Sequence, residues 1–157
     1  MALQNTFVGH TNAVTTLAFA YKACYLASGG KDGNILLWQI EDGTFIKALN
    51  HSHPINQVLF SKVMYWIAAA TDNGIIIWDI VKDQIISRIQ VLRGDDQKDD
   101  DEEDEKDKDE KKKEKSKKVV EKKEIPCLSI AWSKNGNFLY SGWADNTIRV
   151  YEVAYTQ

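Results

Sequence analysis

Apolar residues recur along this chain in short bursts broken by glycine, aspartate and asparagine, the rhythm of strands and tight turns rather than of helices. Val14–Ala20, Tyr25–Ser28, Ile35–Gln39 and Phe45–Leu49 read as four strands, rich in the branched and aromatic residues that suit a pleated, half-buried surface. Gly29-Gly30, Asp32-Gly33 and Asp42-Gly43 punctuate them, because these residues reach positive φ at low cost. A second set follows at Ile55–Phe60, Trp66–Ala70, Gly74–Trp78 and Gln84–Gln90. A third, Leu128–Trp132, Phe138–Ser141 and Thr147–Tyr151, ends without a clear fourth strand. Leu3–Val8 reads as an extra strand ahead of the first set.

The sets are copies of one unit. His10-Thr-Asn-Ala-Val-Thr-Thr-Leu-Ala-Phe19 opens the first and His51-Ser-His-Pro-Ile-Asn-Gln-Val-Leu-Phe60 the second. Lys123-Glu-Ile-Pro-Cys-Leu-Ser-Ile-Ala-Trp132 opens the third. Phe19 and Phe60 are 41 residues apart; Phe60 and Trp132 are 72 apart, and a charged run accounts for the excess. Without that run the period is about 40 residues, the length of a four-stranded repeat. The chain therefore reads as all-β, with one outer strand and two repeats over 1–92, an insertion over 93–124 and a last repeat over 125–157.

Within the first unit, His10, Ser28, Asp32 and Trp38 stand at a spacing that permits a chain of hydrogen bonds from carboxylate to imidazole to hydroxyl to indole. Buried polar groups need partners, and a connected network fixes one arrangement of strands. The second unit keeps His51, Asp72 and Trp78 but has Ala69 in the serine position. The third keeps Ser141 and Asp145, with Lys123 for the histidine and Tyr151 for the tryptophan. Histidine, serine and aspartate together also raise a hydrolase reading built on His10 and Ser28. A pattern that decays from copy to copy favours scaffolding over one reaction centre, so no catalytic residue is assigned.

The 157 residues carry a formal charge of −3, but the charge is segregated. Asp95–Glu124 holds 15 acidic and 11 basic residues, with Asp99–Glu105 wholly acidic and Lys111–Lys118 mostly basic. Such a stretch buries too little apolar area to offset its ordering entropy and is expected to be disordered, as a solvated loop or an interaction tail. The remainder has 8 acidic and 9 basic residues, so bulk charge points neither to nucleic acid nor to a membrane surface. Cys24 and Cys127 are far apart beside apolar runs and read as buried small hydrophobes. The His51/His53 pair is too sparse for a metal site, and no cofactor is implied. The longest apolar runs fall well short of a membrane span and no signal peptide is evident, which makes a cytoplasmic location the default.

The Gly9-His10 pair, Trp78-Asp79 and the repeat length resemble WD repeats, which build four-stranded β-propeller blades. Tyr65-Trp-Ile-Ala-Ala-Ala-Thr71, Ile75-Ile-Ile-Trp-Asp-Ile80, Cys127-Leu-Ser-Ile-Ala-Trp-Ser133 and Leu139-Tyr-Ser-Gly-Trp-Ala-Asp-Asn-Thr-Ile-Arg-Val150 resemble the last three blades of the receptor for activated C kinase family. That resemblance implies a partial propeller and a non-catalytic scaffold that associates with the small ribosomal subunit and anchors signalling kinases. The family's ribosome-contacting basic residues lie in a first blade that has no counterpart here, so no ribosome or nucleic-acid site is placed on this chain. Gly74, Ile75, Ile76, Ile77, Trp78, Asp79, Ile80 and Val81 occupy the position associated with protein kinase C binding. Tyr65 matches a tyrosine linked to tyrosine-kinase docking. Lys31 and Trp143 are expected at one rim, the latter as an exposed indole. Another G-protein β-like adaptor unrelated to translation, or a role centred on the charged insertion, are the competing readings. Three repeats do not close a ring, so a homodimer that swaps Leu3–Val8 into the incomplete last blade is a further expectation.

Overall fold

A computed structural model of the chain describes residues 2–20, 24–93 and 123–154. Its regular structure is entirely β: β1 (Val14–Phe19), β2 (Tyr25–Gly30), β3 (Asn34–Gln39), β4 (Phe45–Asn50), β5 (Ile55–Phe60), β6 (Trp66–Thr71), β7 (Gly74–Asp79), β8 (Gln84–Ile89), β9 (Cys127–Trp132), β10 (Phe138–Trp143) and β11 (Ile148–Glu152). These form two four-stranded antiparallel sheets, β1-β2-β3-β4 and β5-β6-β7-β8, and a three-stranded sheet, β9-β10-β11. Each sheet is one blade, and among the described residues the third has no outer strand.

The inner strands define the packing. β5 lies against β1 and β2 of the first blade, and β9 lies against β5 and β6 of the second. Each inner strand carries a bulge at the same repeat position. Thr15, Asn56 and Leu128 are skipped in the pairing of β1 with β2, β5 with β6 and β9 with β10. A bulge re-aims the extra residue's side chain, and in the first two blades it aims at the next blade. Thr15 Oγ1 donates to the Ile55 carbonyl, and Asn56 Nδ2 donates to the Cys127 carbonyl at 2.8 Å. The following residue completes each latch: Val58 N–H donates to Thr16 Oγ1 at 3.2 Å and Ile130 N–H to Gln57 Oε1 at 2.8 Å.

Apolar cores fill the blade junctions. Ile35, Leu37, Ile55, Val58, Ile67 and Trp78 belong to the core between blades 1 and 2. Ile75, Ile77, Cys127, Ile130, Leu139 and Trp143 belong to that between blades 2 and 3. The two outer flanks remain open. Leu17 and Phe19 on β1 are 61% and 64% exposed, and Ile148 on β11 is 78% exposed.

Two expectations need correction. Leu3–Val8 is not a strand: residues 2–10 have no sheet pairing, and Leu3 and Val8 are exposed. Among the described residues no blade stands beside this segment to receive its hydrogen bonds, and Phe7 holds it instead, its ring meeting Trp38 edge-on at 5.6 Å. Cys24 is exposed, because it sits in the turn entering β2 rather than in a core strand, whereas Cys127 is fully buried. The insertion expected over 93–124 lies almost wholly outside the described residues. Its two ends do not: Leu92 and Glu124 pair as an antiparallel bridge, Arg93 N–H donates to the Lys123 carbonyl at 3.1 Å, and Ile125 N–H donates to the Val91 carbonyl at 2.8 Å.

Candidate functional site

The first blade brings His10, Ser28, Asp32 and Trp38 into one polar chain. Trp38 Nε1–H donates to Ser28 Oγ at 2.8 Å, and Ser28 Oγ lies 2.7 Å from His10 Nε2. His10 Nδ1–H donates to the Asp32 carboxylate, 2.9 Å from Oδ2. The Asp32 carboxylate also accepts the backbone N–H groups of Thr11 and Asn34. Burial alone would raise the Asp32 carboxyl, but the Thr11 N–H, His10 and Asn34 bonds together hold it below its ordinary value. Gly30 makes room for the imidazole, since a Cβ there would stand 2.7 Å from His10 Nδ1.

This hub has the residue types of a hydrolytic triad but not its access. Ser28 is 4% exposed, and its oxygen is committed to the indole and the imidazole. A nucleophile must meet a substrate carbon along an open path, and a buried serine clamped between Trp38 and His10 offers none.

The second blade solves the same problem differently. The hairpin β6–β7 turns through Asp72-Asn73, one residue fewer than Lys31-Asp32-Gly33 in the first blade. The shorter turn swings Asp72 outward, where it accepts from Asn56 Nδ2 at 2.9 Å and does not reach His51. Asn73 takes the histidine instead, with His51 Nε2 3.0 Å from Asn73 Oδ1. Thr71 Oγ1, 2.7 Å from Asn73 Oδ1, supplies the hydroxyl that Ala69 lacks. His51 also meets the Trp78 ring edge-on. Burial, chiefly, lowers the His51 pKa, with His53 and Arg88 acting in the same sense against the Asn73 bond and Glu124.

In the third blade Trp143 occupies the repeat position of Gly30, and its indole takes the imidazole's place. Trp143 Nε1–H donates to Ser141 Oγ at 2.7 Å, and the Arg149 guanidinium lies 5.0 Å above the ring. Arg149 in turn grips Asp145, 2.6 Å from Nη2 to Oδ2, and this bond with that of Thr147 holds the Asp145 carboxyl well below the usual range. Trp143 is therefore 4% exposed and not a rim contact. The expectation of an exposed indole fails because the side chain turns inward where no histidine competes for the space.

Gly74–Asp79 is an interior strand between β6 and β8, buried along its whole length; beyond it Ile80 is half-buried and Val81 exposed. Tyr65 is 74% exposed in the loop before β6, and Lys31 is exposed on the β2–β3 turn. Asn73, Thr71 and the bulge residues escaped sequence reasoning; only the unequal hairpin lengths hint at the first. Among the described residues no cluster of histidine, cysteine and carboxylate groups could hold a metal ion.

Comparison with known proteins agrees with this geometry. The profile of the WD domain, G-beta repeat, matches residues 1–39, 43–79 and 117–152. The chain is 35% identical over 152 residues to the small ribosomal subunit protein RACK1z of Arabidopsis thaliana, covering 96% of this chain and 42% of that one. It is 33% identical over 152 residues to the small ribosomal subunit protein RACK1 of Caenorhabditis elegans, covering 97% and 40%. With RACK1 of Schizosaccharomyces pombe it shares 30% over 153 residues, covering 97% and 41%. The chain thus spans about two fifths of the length of these relatives. Three repeated blades, each locked by a polar hub and latched to its neighbour through a bulge, together with that profile, place the chain in the WD domain, G-beta repeat, family.

Proposed function

We propose that this chain is the scaffold part of a RACK1-type protein, cytoplasmic and non-catalytic, that sits on the small ribosomal subunit and presents blade rims to signalling kinases. The observation that carries this reading is similarity along 96% of the chain to proteins named for the small ribosomal subunit. The polar hubs are structural in this reading: they stiffen blades whose loops do the binding. Kinase docking falls to exposed groups, Tyr65 and Val81, with Gly74–Ile80 supporting them from inside the sheet. Phosphate added at Tyr65 would supply charge and acceptors at an accessible loop.

Sedimentation through a sucrose gradient with purified small ribosomal subunits tests the reading. Co-migration that resists moderate salt is expected of the protein in its native cell extract. Migration at the top of the gradient would favour the G-protein β-like adaptor instead.

A second reading concerns assembly. Among the described residues, 3–8 have no strand partner and the third sheet has no outer strand. Exchange of residues 3–8 between two copies would supply that strand and bring the open flanks of the two arcs together.

A further inference from the structure

Two loops of this repeat, in the second and third blades, can be compared directly. The turns that follow the inner strands are closed by one bond each: Ala20 N–H to the Tyr25 carbonyl, Ser61 N–H to Trp66, and Ser133 N–H to Phe138. In the second and third blades the leading serine also accepts backbone N–H groups: Val63 and Met64 donate to Ser61 Oγ, Phe138 to Ser133 Oγ. Span and closing bond are alike, but backbone and composition are not: Gly136 has φ 78°, and no residue of the second loop has a positive φ. The third blade fills its loop with Lys134-Asn-Gly-Asn137, as a solvated turn requires. The second places Val63, Met64 and Tyr65 there, 55%, 39% and 74% exposed. A loop of this length and closure does not need apolar residues, since Lys-Asn-Gly-Asn spans the same number of positions behind the same closing bond next door. Three consecutive exposed apolar residues on a fold that does not require them mark a contact surface.

That loop forms one wall of a groove of about 660 Å³ where blades 1 and 2 meet. Leu37, Phe60, Ile80, Tyr25 and Ile46 also line it. Two ammonium groups stand at the edge. Lys47 pairs with Asp83 at 2.6 Å, while Lys62 has no carboxylate within ion-pair distance among the described residues. The rim therefore keeps a net positive charge over an apolar lining.

The geometry points to a docking groove for a short linear peptide that inserts an aromatic or branched apolar side chain between Tyr25 and Met64 and sets a carboxylate against Lys62. The volume suits a few side chains rather than a folded domain. An apolar anchor supplies most of the binding, and the flanking acid supplies orientation. This site is separate from ribosome association, so either can fail without the other.

The test is a phage-displayed library of random dodecapeptides panned on the full 157-residue chain. Enriched peptides are then labelled with fluorescein and titrated by polarisation. Enrichment of aromatic or branched apolar residues beside aspartate or glutamate is expected. Replacing the loop by its third-blade counterpart, Val63→Asn with Met64→Gly and Tyr65→Asn, is expected to weaken binding at least about tenfold. Lys62→Glu, at an exposed position outside the core, is expected to weaken it with no change in melting temperature. The proposal is overturned if no peptide is enriched, if enriched peptides are basic, or if they bind both variants as tightly as the parent. Self-association of the chain that disappears in the loop variant would assign the groove to a second copy and equally overturn it.

Discussion

A single oxygen carries much of the first blade. Ser28 Oγ receives the Trp38 indole and faces the His10 imidazole, so Ser28→Ala strands a buried N–H and an imidazole nitrogen together. An unsatisfied buried donor costs about 1–3 kcal/mol, and urea unfolding of the variant should show a loss of that size. His51 makes the complementary case. Its pKa is lowered in the fold, first by burial. Below its unfolded value of about 6.5, the unfolded chain takes up the proton more readily, so stability present above that pH is lost as pH falls towards the folded value. Thermal melts should therefore fall between pH 7.5 and 5.5, and His51→Gln should flatten that part of the dependence. Individual residues were legible where spacing alone decides contact, as with His10, Ser28, Asp32 and Trp38. Asp72 and Trp143 were not. One depends on a turn being a residue shorter, and the other on an empty imidazole site. Neither is visible without the neighbouring chain in place.

At the scale of strands and turns, alternation and glycine placement located all eleven described strands to within a residue or two. The failure is instructive: Leu3–Val8 has strand composition but no partner, and a strand is defined by pairing as much as by residue preference. The bulges were invisible for a related reason, since Thr15, Asn56 and Leu128 share no residue type, only a skipped position in the pairing of the inner strand. The tight β6–β7 hairpin supplies a sharp test. Gly74 has φ 131°, and a Cβ there would stand 2.1 Å from the Ile89 carbonyl oxygen on β8. Backbone strain of this kind costs about 1–3 kcal/mol before any clash is counted. Gly74→Ala should lower the melting temperature markedly in a thermal melt.

The whole molecule is an arc with two apolar ends. Leu17 and Phe19 face out at one, and Leu128, Ile148 and Val150 at the other. Leu128 holds the latch position used by Thr15 and Asn56, so that end presents an exposed apolar side chain where the other blades carry a donor. Exposed faces of this kind associate. Light scattering at micromolar concentration should report twice the 17.8 kDa of one chain if the arms exchange, and a single mass of 17.8 kDa would dismiss the exchanged pair.

The pairing of Leu92 with Glu124 carries a practical consequence. Both ends of the intervening stretch are clamped side by side, and the entropy of closing a flexible span grows only as the logarithm of its length. The two adjoining blades are thus insulated from whatever lies between the clamps. A reporter domain with adjacent termini, spliced between Arg93 and Lys123, should ride on the protein without loosening it, which makes this junction the natural place for engineers to attach cargo.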